Sequence, residues 1–530
     1  MQWTHRITIQ PLPHMSYHVL LVSIPAWGHV RPLLALAVRL LLERDDIILT
    51  ILVSPNMLDK SFSDLELQFA HNGSQSAAKR VRLLTTFIAE PTDQIFAILA
   101  KAGQAYPPVY NRLVAGEAVT CAAKGTVFDA CPSPVAIIMD FFALAELQAT
   151  RSITGDTIPV TAIVASGAAP IIQLFGPESI GGFGNVGPRI DAEVARTGRD
   201  PIEVGEEIFH SVKGAVSRIP GLPEMYDYES FPQKLTSFGP TSIVARAGYS
   251  FLEEADGLIL TTSKAYEMSG TLRALETYRL DEMNKVTFAI GPLLPLQYSS
   301  GQLSNRGDEA IASFLADKLE KFGEKSVLFM SFGTVVWPES SDYVEEVIDC
   351  MIEKKLPFIF CYAFPFAELP ESLIAKVNAS GLGYLSKWAP QQYILTHPAT
   401  GWYLTHCGWG GVTEALGAGV PMIAWPFMAD QPHNAAHLSE NLKVAIELVE
   451  VRTGENGLKP MRRNGRAAKG TRAAVREEFL DVIDDMRGAK GAQIRANVQG
   501  LKGHYAKAWQ EEGDAKLELQ AFLKRFVLRD

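Results

Sequence analysis

Short runs of apolar residues alternate with stretches of helical periodicity along the chain. Near the N terminus, an apolar run over 18–25 precedes apolar positions at helical spacing over 32–43, and a second run covers 47–53. Uninterrupted apolar runs of this length are typical of strands that are buried on both faces of a sheet. A strand, a helix and a strand in this order form a βαβ unit, so the pattern predicts an α/β fold with a parallel sheet.

The same alternation continues into the second half of the chain. Further apolar runs lie at 135–140, 158–164, 257–263, 326–334, 357–362, 401–405, 421–425 and 444–449. A polar, turn-rich segment over 298–307 separates two such series and is the best linker in the sequence. We therefore predict a first domain over 1–298, a second domain over 299–505 and a helical C-terminal segment over 506–530.

Composition narrows the classes of function. The 530 residues are 47% hydrophobic and carry a net charge of −10, which predicts neither a nucleic acid nor an anionic membrane as partner. The sequence contains no apolar run long enough to span a membrane, and its N-terminal residues lack an apolar core segment, so we expect no secretory leader. Its five cysteines form no CxxC pair, which favours free thiols in a reducing compartment. We expect a soluble, cytoplasmic protein, and we interpret the basic run over 452–476 as a solvated loop.

The stretch 388–431 carries the densest chemistry in the chain. After the apolar strand at 401–405, the turn His406-Cys-Gly-Trp-Gly-Gly leads into residues with near-helical spacing. Glycines at a strand-to-helix turn let backbone N–H groups approach an anion, and the helix dipole adds positive charge there. The turn therefore predicts a phosphate site at 408–411. Glu414, in the first turns of that helix, is placed to accept hydrogen bonds from the hydroxyls of a ribose.

The ends of the same stretch supply a ring and two polar groups. Trp388 offers a stacking face for a base, which is worth about 1–3 kcal/mol. Asp430 and Gln431 follow the strand at 421–425, so they project from its carboxyl end, where α/β sheets bind ligands. A flat ring, a phosphate and a polyhydroxyl group held side by side would satisfy all of these positions.

A histidine and an aspartate stand at equivalent places in the first half of the chain. His29 follows the first apolar run, and Asp140 ends the run at 135–140. If both strands belong to one parallel sheet, the two side chains emerge from the same edge and can meet. On residue type alone, a histidine in the place of His29 caps a helix or packs in the core about as often as it takes part in chemistry, and an acid in the place of Asp140 is often a helix cap.

The stretch 388–435 resembles the donor-binding signature of the UDP-dependent glycosyltransferases of the large soluble, plant-like type. The matching positions are Trp388, Ala389, Pro390, Gln391, His397, Gly401, Thr405, His406, Cys407, Gly408, Trp409, Glu414, Gly419, Val420, Pro421, Trp425, Pro426, Asp430, Gln431, Asn434 and Ala435. The resemblance implies the GT-B fold, in which two Rossmann-like, doubly wound parallel-sheet domains face each other across a cleft. It also implies that the segment 506–530 crosses back onto the first domain.

The resemblance further implies the roles of the site residues. Those implied for the donor site are Ser166, Thr334, Trp388, Ala389, Gln391, His406, Gly408, Trp409, Gly410, Gly411, Glu414, Asp430 and Gln431. In the family the tryptophan stacks on uracil, the histidine meets the diphosphate with a threonine hydroxyl, the glutamate holds the ribose, and the Asp-Gln pair holds the sugar, usually glucose. His29 stands at the place of the general base, and Asp140 at the place of its partner.

One departure from the family pattern lies at the phosphate turn. The family usually has Asn-Ser after the tryptophan, and both side chains touch phosphate oxygens, whereas this chain has Gly410-Gly411. Backbone amides can still donate at these positions, but the two side-chain contacts are missing.

These residues together predict an inverting transfer of a sugar, most simply glucose, from a UDP-sugar to a hydroxyl group. UDP is a weak base and needs no acid, so one general base suffices. The helix N terminus, His406 and Thr334 would meet the charge of the leaving group, so we expect no metal and no tightly bound cofactor. Apolar residues such as Trp27, Phe141, Phe142 and Phe175 suggest a small lipophilic alcohol or phenol as acceptor, and we expect a monomer.

Two other hypotheses compete with the transfer of a sugar. A catalytically weak or silent nucleotide-sugar binder would keep the donor stretch, but His29 and Asp140 count against it. A Rossmann oxidoreductase is supported only by Gly417-Ala-Gly419, a weak signal because it lies within a helical stretch and no GxGxxG follows a strand.

Overall fold

Two all-parallel β-sheets, one from each half of the chain, organise the computed structural model. The structure describes residues 6–7, 16–71, 75–90, 92–234, 240–298, 303 and 307–528. The first sheet contains β1 (Tyr17–Val22), β2 (Ile47–Leu52), β3 (Val81–Leu84), β4 (Pro134–Asp140), β5 (Val160–Val164), β6 (Gly257–Leu260) and β7 (Val286–Ala289). The second contains β8 (Val327–Ser331), β9 (Phe358–Cys361), β10 (Gly383–Ser386), β11 (Thr400–Thr405), β12 (Met422–Ala424) and β13 (Ala445–Glu447).

The helices connect these strands and cover both sheets. They are α1 (Trp27–Glu43), α2 (Leu58–His71), α3 (Gln75–Ala78), α4 (Ile95–Val114), α5 (Leu144–Thr154), α6 (Ala168–Phe175), α7 (Gly187–Thr197), α8 (Pro201–Phe209), α9 (Thr241–Glu254), α10 (Lys264–Met283), α11 (Glu309–Phe322), α12 (Ser341–Glu353), α13 (Glu371–Ser380), α14 (Gln391–Thr396), α15 (Trp409–Ala418), α16 (Gln431–Ala436), α17 (Gly454–Gly457), α18 (Arg472–Arg487), α19 (Ala489–Lys507) and α20 (Asp514–Phe522). Short 3₁₀ turns lie at Pro55–Met57, Glu178–Ile180, Asp227–Ser230 and Leu296–Tyr298, and π turns at His437–Asn441 and Leu523–Val527. Two-residue strands occur at Arg6–Ile7, Val119–Thr120, Val127–Phe128, Val216–Ser217 and Met225–Tyr226.

The first sheet has the strand order β7-β6-β5-β4-β1-β2-β3. Strand β1, inside the sheet, pairs in parallel with β2 on one side and with β4 on the other. All six residues of β2 are buried, as expected for a strand covered by helices on both faces. The chain reverses its direction of travel between β1 and β4, and doubly wound sheets bind ligands at the carboxyl ends of such a strand pair.

The second sheet repeats this plan with the strand order β10-β9-β8-β11-β12-β13. Here the reversal lies between β8 and β11, which pair in parallel. The turn that follows β11 is the predicted phosphate turn at 406–411. The topology therefore gives each sheet one ligand-binding edge.

The C-terminal helices contact both sheets. Arg495 in α19 donates to the carbonyl of Gly401 at 3.0 Å. The rings of Phe522 and Phe526, in and just after α20, lie 5.8 and 6.1 Å from the ring of Phe288 in β7. The last described segment thus packs against the edge of the first sheet.

The basic run over 452–476 is not the solvated loop that we expected. Arg452 and Arg463 are nearly fully buried and form ion pairs with Glu447 at 2.9 and 2.6 Å, and Arg463 also lies 3.5 Å from Glu229. These two arginines outweigh the effect of burial and lower the pKa of Glu447 to about 2. The interpretation was wrong for this part of the run because buried carboxylates, Glu447 just before the run and Glu229 in the first half of the chain, neutralise the arginines. Apart from Tyr298, residue 303 and Gly307, the linker predicted over 298–307 lies outside the described residues.

Candidate active site

His29 and Asp140 meet at the reversal point of the first sheet. Asp140 is the last residue of β4, and His29 lies in the first turn of α1, shortly after β1. His29 Nδ1 is 2.7 Å from Asp140 Oδ2. The backbone N–H of Phe142 donates to Asp140 Oδ1 at 3.1 Å, which fixes the plane of the carboxylate. His29 is therefore not a helix cap, since the N-cap of α1 is Ala26.

The charge around His29 favours its protonated form. Burial lowers the pKa of His29, but the charge and hydrogen bond of Asp140 raise it more, and Asp430 adds to the rise, so the pKa lies above its usual 6.5. With the Nδ1 proton donated to Asp140, Nε2 of the neutral ring is the available base. Asp430 follows β12, so a residue from the second half of the molecule acts on the pKa of the same imidazole.

Asp430 is itself perturbed. Burial raises its pKa to about 6, although hydrogen bonds oppose the rise. One of these comes from Asn434 Nδ2, which donates to Asp430 Oδ2 at 2.8 Å. The neighbouring Gln431 is also fixed, because its Oε1 accepts from the backbone N–H groups of Phe427 and Met428 at 3.0 and 3.3 Å. The amide nitrogen of Gln431 is consequently left to donate to a ligand.

Aromatic rings surround the imidazole on the side of the first domain. The ring of Phe142 lies 5.8 Å from that of His29, and the ring of Phe141 lies 6.5 Å away. Phe141 packs edge-on against Phe175 at 5.4 Å, and both belong to the buried core. Of these phenylalanines, only Phe142 is partly exposed, so it is the one placed to contact a bound molecule.

His406 lies at the reversal point of the second sheet. A Cβ atom placed on Gly333 or on Gly408 would fall 2.9 or 2.4 Å from His406 Nε2, so glycines on both sides make room for this ring. Burial lowers the pKa of His406 to about 4, which leaves the ring neutral at pH 7. Thr334, one residue after Gly333, is exposed at the same edge.

The helix α15 begins at the glycine turn. Gly408 is its N-cap, so the N–H groups of Trp409, Gly410 and Gly411 have no partner within the helix. The two glycines that replace Asn-Ser differ in their surroundings. A Cβ on Gly410 would meet nothing within 4 Å, whereas a Cβ on Gly411 would lie 3.0 Å from the hydroxyl of Tyr403. A side chain at position 410 would therefore have free space, whereas a side chain at position 411 would be crowded by Tyr403.

The indole of Trp409 points away from this opening. Its Nε1–H donates to Thr261 Oγ1 at 2.8 Å, and its ring packs edge-on against Tyr266 at 5.0 Å. Both partners belong to the first half of the chain. The side chain of Trp409 therefore joins the two sheets. Its backbone N–H donates to the carboxylate of Asp430, so the N–H groups of Gly410 and Gly411 are the ones left for a phosphate.

Glu414 lies in a polar cluster that crosses the cleft. Gln391 Nε2 donates to Glu414 Oε2 at 2.7 Å, and Gln392 Nε2 donates to Oε1 at 2.9 Å. Arg31, two residues after His29 in α1, forms an ion pair with the same Oε1. Tyr403 orients the amide of Gln391 by donating to its Oε1 at 3.2 Å. The side chain of Glu414 is only 4% exposed.

The remaining predicted residues lie at the rim and floor of the cleft. Trp388 follows β10 and is 43% exposed, which leaves its indole free for stacking, and the adjacent Ala389 is partly buried. Ser166, just after β5, is buried, and its hydroxyl has no hydrogen-bond partner among the described residues.

Comparisons with known proteins identify the family. Residues 278–459 match the family described as UDP-glucoronosyl and UDP-glucosyl transferase. Over 523 residues the chain is 32% identical to the UDP-glycosyltransferase eriJ of Hericium erinaceus, and the match covers 96% of this chain and 98% of that protein. The chain belongs to this family of UDP-glycosyltransferases. The resemblance stated from the sequence is confirmed, and the protein is a glycosyltransferase.

Solved structures confirm the fold of the transferase. Medicago truncatula UGT71G1, complexed with UDP-glucose, superposes with a TM-score of 0.68 at 19% identity and covers 96% of this chain and 98% of its own. A Siraitia grosvenorii transferase in complex with UDP gives a TM-score of 0.66 at 18% identity, with 96% and 99% coverage. The GT-B fold of two Rossmann-like domains, predicted from the resemblance, is therefore correct.

The described residues contain neither a membrane-crossing helix nor a metal-binding cluster. In the part of the chain that the structure describes, no helix combines the length and apolarity needed to cross a bilayer. Within those same ranges, no three His, Cys, Asp or Glu side chains are grouped as metal ligands.

The sequence reasoning missed three residues of the transferase's site. Arg31 carried a signal, because a charge beside Pro32 interrupts an otherwise apolar helix face. Tyr403 carried a weaker one, a hydroxyl within the apolar strand that precedes the phosphate turn. Gln392 carried none, since it follows another glutamine and nothing in the sequence shows that both side-chain amides reach Glu414.

Proposed function

We propose that this transferase moves glucose from UDP-glucose to a hydroxyl of a small lipophilic alcohol or phenol, with inversion at the anomeric carbon. The observation that supports this most is the 2.7 Å contact of His29 with Asp140 in a cleft where Asp430 of the opposite domain influences the same ring. A base on the first domain thus faces the end of the donor stretch on the second.

The proposed reaction uses one proton transfer and one displacement. Nε2 of His29 takes the proton of the acceptor hydroxyl while the oxygen attacks the anomeric carbon. The bond from that carbon to the phosphate oxygen breaks, and UDP leaves with the electron pair. Asp140 stabilises the imidazolium through Nδ1, and such a positioned base contributes about 10²–10⁴ in rate. Attack on the face opposite UDP gives inversion.

The donor site follows from the same geometry. We propose that Trp388 stacks on uracil, beside Ala389 and Gln391, and that Glu414 binds the ribose. The amides that follow Gly408 would bind the diphosphate at the N terminus of α15.

These amides would bind the diphosphate together with His406 and Thr334. Asp430, the amide nitrogen of Gln431 and the hydroxyl of Ser166 would bind the sugar. Because these groups suffice for a weakly basic leaving group, we propose that the enzyme needs no metal and no tightly bound cofactor.

The domain bounds, the localisation and the oligomeric state are proposals that rest on the sequence. The domains would extend over 1–298 and 299–505, with 506–530 returning to the first domain. The five cysteines are free and buried, which fits a cytoplasmic protein. We also propose that the enzyme is a monomer.

A weakened enzyme or silent binder is the second candidate, and Gly410-Gly411 favours it because two phosphate contacts of the family are absent. Incubation with UDP-glucose, UDP-galactose or UDP-glucuronate and a panel of phenols separates the candidates. We expect UDP release with UDP-glucose, in equal amount to a β-glucoside identified by NMR. An α-glucoside would contradict inversion. A protein whose melting temperature rises with UDP but which releases none would be a binder.

A further inference from the structure

Arg31 connects the helix of the catalytic base to the donor half of the cleft. It lies in α1 of the first domain, and its guanidinium pairs with Glu414 in α15 of the second. Its Cζ also lies 5.5 Å from the centre of the Trp27 ring, which fixes the side chain from the other side. The helix that carries His29 therefore also grips the residue proposed to bind ribose.

Glu414 needs a cationic partner at this depth. A carboxylate that is 4% exposed has lost nearly all of its water, and an unpaired charge there is strongly unfavourable. The two glutamines supply dipoles without charge. Arg31 supplies the charge that compensates the Glu414 carboxylate at this depth, and the carboxylate can still accept from a neutral hydroxyl.

The hydrogen bonds also limit what Glu414 can still accept. An ionised carboxylate has about four lone-pair positions, two on each oxygen. Oε1 accepts from Arg31 and Gln392, whereas Oε2 accepts only from Gln391. One position on Oε2 is left, which suits a single hydroxyl group.

We propose that Arg31 is a positioning residue for donor binding, which pairs with the charge of Glu414 and holds the carboxylate turned so that Oε2 accepts one ribose hydroxyl. This rests on the proposed role of Glu414 in ribose binding. It makes recognition of the nucleoside depend on the first domain, so the donor site is complete only when the two domains meet across the cleft.

Deoxynucleotides test this directly. Binding of UDP, 2′-deoxy-UDP and 3′-deoxy-UDP is measured by calorimetry on the whole protein and on Arg31→Met, Arg31→Lys and Glu414→Gln. The native protein should bind one of the two analogues about 10- to 100-fold more weakly than UDP, since one hydroxyl bonds to a charged acceptor. In Arg31→Met, UDP should bind as weakly as that analogue. Arg31→Lys keeps the charge but not the planar fork, so it should recover part of the difference.

The outcomes separate this inference from the proposed function. No UDP binding or no UDP release by the native protein would sink the proposed function itself. Native discrimination that persists in Arg31→Met would overturn only the role of Arg31, and tighter UDP binding in that variant would show that Arg31 competes with the ribose. A native protein that binds both analogues like UDP would remove the ribose role of Glu414 and this inference with it.

A structural role alone would change stability and leave the selectivity between UDP and its analogues untouched. Thermal unfolding of each variant without ligand is therefore measured beside the affinities. If Arg31→Met does not fold, Arg31→Lys decides the question. The inference requires that Arg31→Lys discriminates between UDP and its deoxy analogues less than the native protein does and more than Glu414→Gln does.

Discussion

Replacing Asp140 by asparagine should disable the base without disturbing the donor site. The backbone N–H of Phe142 donates to Asp140 Oδ1, so an asparagine oxygen will take that place and the amide nitrogen will take the place of Oδ2. That nitrogen donates to His29 Nδ1 and moves the ring proton to Nε2, where the base is needed. We expect kcat to fall about 10²–10⁴-fold, which is about 2.7–5.5 kcal/mol of barrier.

The pH profile gives the same prediction a second readout. A base works when it is deprotonated, so kcat/KM of the native enzyme should fall as the pH drops through the pKa of His29, which lies above 6.5. Burial alone lowers that pKa, so without the Asp140 charge the acid limb should move to lower pH.

The assay is UDP release at saturating UDP-glucose and phenol, with UDP affinity measured beside it. Asp156→Asn is the matched control, because that side chain is 92% exposed and should leave turnover unchanged. Native turnover in Asp140→Asn, or an acid limb that moves to higher pH, would refute the assignment of the pair.

Four other substitutions test the donor site and the buried ion pairs of Glu447. Trp388→Ala should weaken UDP binding by about 5- to 150-fold through lost stacking, by calorimetry, with little change in unfolding temperature because the indole is 43% exposed. Gly410→Asn should tighten UDP binding by up to about 10-fold, since the added side chain has free space beside the phosphate turn, whereas Gly411→Ser should gain nothing because its Cβ meets a neighbour at 3.0 Å. Glu447→Gln leaves two buried arginines undercompensated and should cost about 3–5 kcal/mol of stability, followed by thermal unfolding, while the exposed Glu477→Gln should cost almost nothing.

Each of these has an outcome that would contradict it. Unchanged UDP affinity in Trp388→Ala would mean that the base does not stack there. Equal effects of the substitutions at positions 410 and 411 would contradict the difference in space between them. A Glu447→Gln protein as stable as the Glu477→Gln control would show that the buried ion pairs contribute little.

The first-domain pair could be predicted because topology alone brings it together. Parallel strands deliver their carboxyl ends to one edge, so a histidine after β1 and an aspartate ending β4 are neighbours whenever these strands pair, as they do. The apolar runs were sufficient to place both strands, since each is buried on both faces.

Contacts between the two domains could not be predicted in this way. Periodicity shows which face of an element is buried, but not which distant element covers it. The indole of Trp409 therefore turned out to contact Thr261, and Arg463 to pair with Glu229. For the same reason the ion pair between Arg31 and Glu414 could not be predicted, because the two residues are 383 positions apart in the sequence.

The measurement that tests the central claim most directly is UDP release by His29→Ala at saturating UDP-glucose and phenol, with its UDP affinity determined on the same sample. The proposed mechanism predicts native UDP affinity and a rate reduced about 10²–10⁴-fold. Native turnover in this variant would contradict it, because sugar transfer would then not depend on an imidazole base from the first domain.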